Sequence, residues 1–167
     1  MSVSSIDAKD IIQGDVKARI DRWVSQYPSD QKQSAVMAAL RIVQEVHHGY
    51  LTQDLMDQIA TYLGMTPMSV YEVATFYSMY EHKPVGRHKV CLCTNISCML
   101  RGSDEILERL QKKLGVGVGE VTPDGKFSIK KVECLGACGG APMMQIGKDY
   151  YENLTEQRLD EILDNLE

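Results

Sequence analysis

Between residues 6 and 80 apolar side chains recur at helical spacing, in runs separated by short polar breaks. Ala35, Val36, Ala39, Leu40, Val43 and Val46 mark one stripe. Pro28-Ser29 is expected to end the helix before it and to cap this one, and Gly49 to close it. Thr52 is a good N-cap for a segment carrying Leu55, Met56, Ile59 and Leu63, and Gly64 sits where a left-handed residue ends a helix. Thr66-Pro67 restarts the chain as a cap followed by proline in the first turn, with Val70, Val73, Ala74, Tyr77 and Met79 after it.

The pattern changes at Lys83-Pro84-Val85-Gly86, where proline and glycine interrupt the helical period and alternation begins. The spacing predicts a strand over His88–Cys93 and a helix with a serine cap over Ser103–Leu114. It also predicts a hairpin turning at Asp124-Gly125 between residues 119–123 and 127–133. A second hairpin is expected at Gly147-Lys148-Asp149, Met143 and Met144 read as a short buried strand, and Thr155 caps a last helix. The fold class is therefore α+β. Residues 1–85 read as a helical bundle and residues 86–167 as a small α/β domain.

Composition changes this picture little. A chain of 167 residues with 44% hydrophobic and 25% charged residues fits an ordinary globular protein. Its net charge of −5 argues against nucleic acid or an anionic membrane surface as the main partner. Residues 1–10 are polar, without the apolar core of a signal peptide, and no run reaches the length of a membrane span. A cytoplasmic chain without direct membrane insertion is expected, and there clustered cysteines serve metals or catalysis more often than disulfides.

The cysteines change it most. Four of the five fall into two close pairs, Cys93 with Cys98 and Cys134 with Cys138. Thiolates converging from two loops suit a soft cation or an iron–sulfur core, because each loop fixes two ligands and folding brings the loops together. The first gap, four residues, is the first spacing of plant-type [2Fe-2S] ferredoxins. Structural zinc favours tighter knuckles and ranks second, with redox or structural thiols behind it. Gly136, Gly139 and Gly140 allow the second loop to turn tightly and aim backbone amides at sulfurs whose negative charge grows on reduction. Both loops would open on one edge if their strands run parallel.

Three stretches carry a resemblance: Val73-Ala74-Thr75-Phe76-Tyr77, CTNISCMLRGS from Cys93 to Ser103, and ECLGACGGAP from Glu133 to Pro142. In this order they resemble the NuoE family, the small thioredoxin-like [2Fe-2S] subunit of the NADH-oxidising module of respiratory complex I. The similarity runs from about Tyr27 to the end. It implies a helical bundle followed by a thioredoxin-like ferredoxin domain, with Cys93, Cys98, Cys134 and Cys138 as the ligands of one [2Fe-2S] cluster. It also implies a NuoF-like flavoprotein partner that binds NADH and FMN, with the larger iron–sulfur subunit of the module beyond it. The complex would lie peripheral to the inner face of the cell membrane. In this reading the cluster takes one electron from the reduced flavin and stores it off the main path to quinone. A diaphorase subunit of a soluble NAD-linked hydrogenase or formate dehydrogenase is the near alternative, and a zinc module the non-redox one.

Other features weigh less. The chain lacks a Gly-x-Gly-x-x-Gly dinucleotide fingerprint, since Gly115, Gly117 and Gly119 follow a helix instead of opening one, so it is not expected to oxidise NADH alone. His47-His48 read as helix-end side chains. Tyr71, Phe76, Tyr77 and Tyr80 read as core before partner surface, and the acidic last helix as a solvated face over Leu159, Ile162, Leu163 and Leu166. Cys91, two residues before Cys93 on one strand face, reads as a buried or interface thiol.

Overall fold

Helical periodicity followed by alternation produces two compact units, which divide between Pro84 and Val85. The computed structural model describes residues 10–166. The polar stretch through residue 9, where the helical pattern begins, and Glu167 lie outside the described residues.

In the first unit, helix α1 (Gly14–Val24) is followed by a 3-10 turn (Lys32–Ala35), α2 (Val36–Val46), α3 (Gln53–Leu63) and α4 (Pro67–Phe76). The apolar stripes meet in one core, where Ile20, Ala39, Leu40, Val43, Leu55, Ile59, Val70 and Ala74 are fully buried. Two threonine caps stand where the sequence puts them. Thr52 accepts from the Leu55 amide and Thr66 from the Ser69 amide, each at 3.3 Å, and Gly64 ends α3 in the left-handed region. His47 ends α2, and the Gly49 amide reaches back to the Gln44 carbonyl at 2.9 Å.

Two expectations fail in this unit. Ser29 does not cap α2, because the 3-10 turn precedes it and already occupies the orphan amides. Ser34 N–H bonds Gln31 and Val36 N–H bonds Gln33, both through the carbonyl. The aromatic run is also split. Tyr80 is core, its hydroxyl donating to the Met37 carbonyl at 2.8 Å, and Tyr71 is half-buried. Phe76 is 80% exposed because it falls on the side of α4 away from the buried Val70 and Ala74, and Tyr77 is 37% exposed because the chain leaves the helix there in an extended conformation.

The second unit is built on a mixed four-stranded sheet of β1 (His88–Cys93), β2 (Phe127–Val132), β3 (Met144–Ile146) and β4 (Asp149–Tyr151), in the order β2-β1-β3-β4. Strands β1 and β2 pair parallel from His88 opposite Phe127 to Cys93 opposite Val132. A parallel pair needs a long crossover, and α5 (Ile96–Leu100) and α6 (Ser103–Leu114) supply it. Strands β3 and β4 form the expected hairpin at Gly147-Lys148, with Ile146 opposite Asp149. Val90 and Leu92 point to one face of β1, where Ile106 and Leu110 of α6 cover them with Leu159 and Leu163 of α7 (Glu156–Asp164). Met143 and Met144 are buried, as the sequence suggests.

Here too the structure corrects details. Gly102, at φ 94°, is the N-cap of α6, while Ser103 is its first helical residue with a buried hydroxyl that finds no hydrogen-bond partner. The turn at Asp124-Gly125 forms, but residues 119–123 make no strand: the Gly119 and Thr122 amides donate to the Ile129 and Phe127 carbonyls, and Val121 forms an isolated bridge with Ser128. Pro123 has no amide to donate and Gly119 no side chain to pack, so the full partner of β2 is β1.

The acidic last helix is more than a solvated face. Asp160 is bonded by both Nε and Nη2 of Arg109, and Lys113 reaches Asp164 at 2.7 Å, which ties α7 to α6. The Arg109 guanidinium holds the Asp160 carboxyl below the usual carboxylate range. A depressed folded value means that the stabilisation is present above the unfolded value, about pH 4, and is lost as pH falls through that range. Asp160→Asn should therefore lower the stability measured by urea unfolding at neutral pH and leave it unchanged at low pH, which flattens the acid limb of the stability–pH curve. An unchanged acid limb would mean that the pair does not contribute to stability.

Candidate metal centre

The parallel register of β1 and β2 brings the two cysteine loops to one sheet edge. Cys93 is the last residue of β1 and lies opposite Val132, the last of β2, so Cys134 follows two residues beyond the same edge. Cys93 is held from both sides: its amide donates to the Met143 carbonyl at 3.1 Å, and the next amide, of Thr94, donates to Val132 at 3.0 Å. Cys98 lies within α5, a five-residue helix where the sequence pattern shows only a loop. Asn95 starts it, its side-chain oxygen accepting from the Ile96 amide at 2.7 Å.

Cys93 and Cys98 are 4% and 2% exposed, packed with Ala141 and Met143 against Leu135 and Ala137 of the second loop. Burial pushes the Cys98 thiol up to about 11, and the adjacent Cys93 sulfur adds to the shift. Cys134 and Cys138 are exposed. The structure thus joins the first pair in an apolar cluster that takes in Leu135 and Ala137 of the second loop, while the second pair stays exposed on that loop. Among the described residues, no three or more His, Cys, Asp or Glu side chains are gathered as a set that could hold a metal ion. None of the five cysteines is in a disulfide.

The glycines do different jobs. Gly136, at φ 77°, aims its amide at the Cys134 sulfur at 3.3 Å, as expected of a loop that meets growing negative charge. The Gly140 amide instead donates to the Ala137 carbonyl, closing the 3-10 turn Cys138–Gly140. Gly140 is required for a different reason, since the Glu152 side chain occupies the space that a Cβ would fill.

Three residues that sequence reasoning passed over fix the second loop. Arg101 Nε donates to the Ala141 carbonyl and the Tyr150 hydroxyl to the Leu135 carbonyl, both at 2.8 Å, while Glu152 lies along Gly140. Their partners are 40, 15 and 12 positions away in the chain, and no local periodicity signals such contacts. Cys91 lies on β1 between Lys130 and Gln145 of its neighbouring strands, inside the sheet and away from its edge.

A mixed sheet with helices over one face and two cysteine loops following the carboxyl ends of its parallel pair makes the second unit a ferredoxin-like domain of an α+β chain. The model of the thioredoxin-like [2Fe-2S] ferredoxin family matches residues 20–167, and the chain belongs to that family. It is 44% identical over 150 residues to an E-type subunit of the NADH-quinone oxidoreductase of Rhizobium meliloti (strain 1021), covering 90% of this chain and 88% of the relative. It is 42% identical to the mitochondrial NADH dehydrogenase [ubiquinone] flavoprotein 2 of Dictyostelium discoideum, covering 89% of this chain and 60% of that protein. Among solved structures, an air-oxidised NAD+-reducing [NiFe]-hydrogenase matches with a TM-score of 0.68 at 18% identity, covering 78% of this chain and 22% of that one. That last likeness speaks for the fold alone. Family membership moves the zinc reading well behind the [2Fe-2S] one.

Proposed function

We propose that Cys93, Cys98, Cys134 and Cys138 hold one [2Fe-2S] cluster, and that the chain is the NuoE-type, one-electron carrier subunit of NADH:quinone oxidoreductase. The observation that carries this reading is the parallel pairing of β1 with β2, which delivers two cysteine loops to one edge. The donor set fits the group: a [2Fe-2S] core takes two thiolates on each iron, and each loop offers two. Cys93 and Cys98 offer a buried, apolar half, and Cys134 and Cys138 an accessible half that can close on it. When bound, the cluster supplies a one-electron acceptor. The chain's own residues exclude water on the side of Met143 and Leu135, and Gly136 meets negative charge on the Cys134 sulfur with its amide.

NADH yields electrons as a pair, so a flavin that accepts a hydride must stand between NADH and this site. That flavin, FMN, belongs in this reading to a NuoF-like subunit that also binds NADH, followed by the larger iron–sulfur subunit of the module. Residues 1–85 are read as a helical bundle that docks this partner, where Met68, Phe76, Tyr77 and Met79 stand exposed. Among the described residues no helix is long and apolar enough to cross a membrane. The complex is read as peripheral to the inner face of the cell membrane. The diaphorase alternative fits less well, because the hydrogenase likeness is 18% in identity against 44% for the quinone oxidoreductase relative.

Adding NADH anaerobically to the co-purified complex should produce the electron paramagnetic resonance signal of a reduced [2Fe-2S] cluster. The isolated chain should give no such signal with NADH and no ferricyanide reduction. A chain that reduced ferricyanide with NADH at the rate of the pair would end this reading.

A further inference from the structure

Two full charges of opposite sign lie against adjacent residues of the second cysteine loop, and the electron-transfer reading uses neither. Arg101, at the end of α5, donates from Nε to the Ala141 carbonyl oxygen at 2.8 Å, so the guanidinium bridges the first loop to the second. Glu152, just past β4, runs along Gly140, whose added Cβ would stand 1.7 Å from Oε2 and 2.6 Å from the Glu152 Cβ. The backbone fixes this segment in place, since the Asn153 amide donates to the Gly140 carbonyl at 2.6 Å and the Leu154 amide to Pro142 at 3.0 Å. Gly140 and Ala141 follow closely on Cys138 in one short turn. A guanidinium whose Nε is hydrogen-bonded to the loop backbone keeps its charge beside that loop.

We propose that Arg101 and Glu152 are an opposed pair of positioning residues that sets the reduction potential of the group held by Cys93, Cys98, Cys134 and Cys138. This rests on the [2Fe-2S] assignment above. Reduction adds one electron, with no bond made or broken, and so adds one unit of negative charge to the site. A fixed cation beside it stabilises the reduced form, and a fixed anion stabilises the oxidised form. Through a protein margin with partial solvent access, each charge shifts the reduction equilibrium about three- to tenfold, and tenfold corresponds to about 59 mV for one electron.

The test is a potentiometric titration of the co-purified complex, followed by electron paramagnetic resonance, with mediators and dithionite supplying the electron. Arg101→Gln should lower the midpoint, Glu152→Gln should raise it, and the double variant should return near the starting value. Arg101→Lys keeps the charge and should recover most of the Arg101→Gln shift. Opposite signs are the signature of charge, because a purely structural disturbance has no reason to move the two variants apart. If Arg101→Gln does not retain its iron, Arg101→Lys and Glu152→Gln carry the test, the first near the original midpoint and the second above it. Shifts of the same sign, or no shift with iron and sulfide at the original level, overturn the proposal. Absence of iron and sulfide from the unsubstituted protein overturns the cluster assignment instead.

Discussion

Replacing Cys134 or Cys138 with alanine should take iron and acid-labile sulfide from about two of each per chain to near none, since a core with two irons needs all four thiolates. The same loss is expected for Cys93→Ala and Cys98→Ala, with one difference in kind. Cys93 and Cys98 are buried side chains in an apolar pocket, so their replacement also disturbs the packing of Ala141 and Met143. Cys134 and Cys138 are exposed, and their replacement should leave the fold of the unit in place. The informative control is Cys91→Ala. Cys91 shares a strand face with Cys93 but pairs with Lys130 and Gln145 inside the sheet, about 6.6 Å back from the edge at one strand repeat. Its variant should keep iron and sulfide at the original level. Loss of the cluster in Cys91→Ala together with retention in Cys134→Ala would show that the ligand set has been drawn wrongly.

The largest structural effect expected away from the cysteines is at Gly86. A Cβ there would lie 2.2 Å from the carbonyl carbon of Phe127 and 2.5 Å from the amide nitrogen of Ser128, both backbone atoms of β2. No rotamer relieves such a clash, so Gly86→Ala must push β2 away from the chain entering β1. That strains the parallel pair on which both cysteine loops depend. Overpacking of this kind costs roughly 3 kcal/mol, at the upper end of its usual range. Urea unfolding of the full chain, read by hydrogen exchange at the β1 and β2 amides, measures it. Gly139→Ala is the matched control, because a Cβ there meets nothing within 4 Å. Equal stability of the two variants would mean that the close approach of Gly86 to β2 is not what holds the pair.

Local signals are legible in the sequence, and distant contacts are hidden from it. Thr52, Thr66 and Thr155 cap where they are expected to, because a cap is decided within one turn of helix. The hairpin at Gly147-Lys148 is legible for the same reason. The meeting of the cysteine loops can be read only as a condition, that two strands about forty residues apart run parallel, and the register of Cys93 with Val132 fulfils it. Helix α5 escapes notice because five residues are too few to show a period. The exposure of Phe76 and Tyr77 is equally hidden, because an apolar run at helical spacing looks the same whether its outer face meets a core or a partner. Arg101, Tyr150 and Glu152 are invisible for a similar reason: the first two bond backbone carbonyls of a distant loop and the third lies in the space beside Gly140, and such contacts leave no mark in the sequence.

Everything proposed for this protein depends on four cysteines from two loops holding a [2Fe-2S] cluster. The deciding experiment is to purify the chain anaerobically with its co-expressed partners and to measure iron, zinc and acid-labile sulfide together with the electron paramagnetic resonance spectrum of a dithionite-reduced sample. About two irons and two sulfides per chain are expected, with a rhombic signal from the reduced cluster. Zinc without sulfide and no signal on reduction would refute the assignment, leaving the four thiolates as a structural clip.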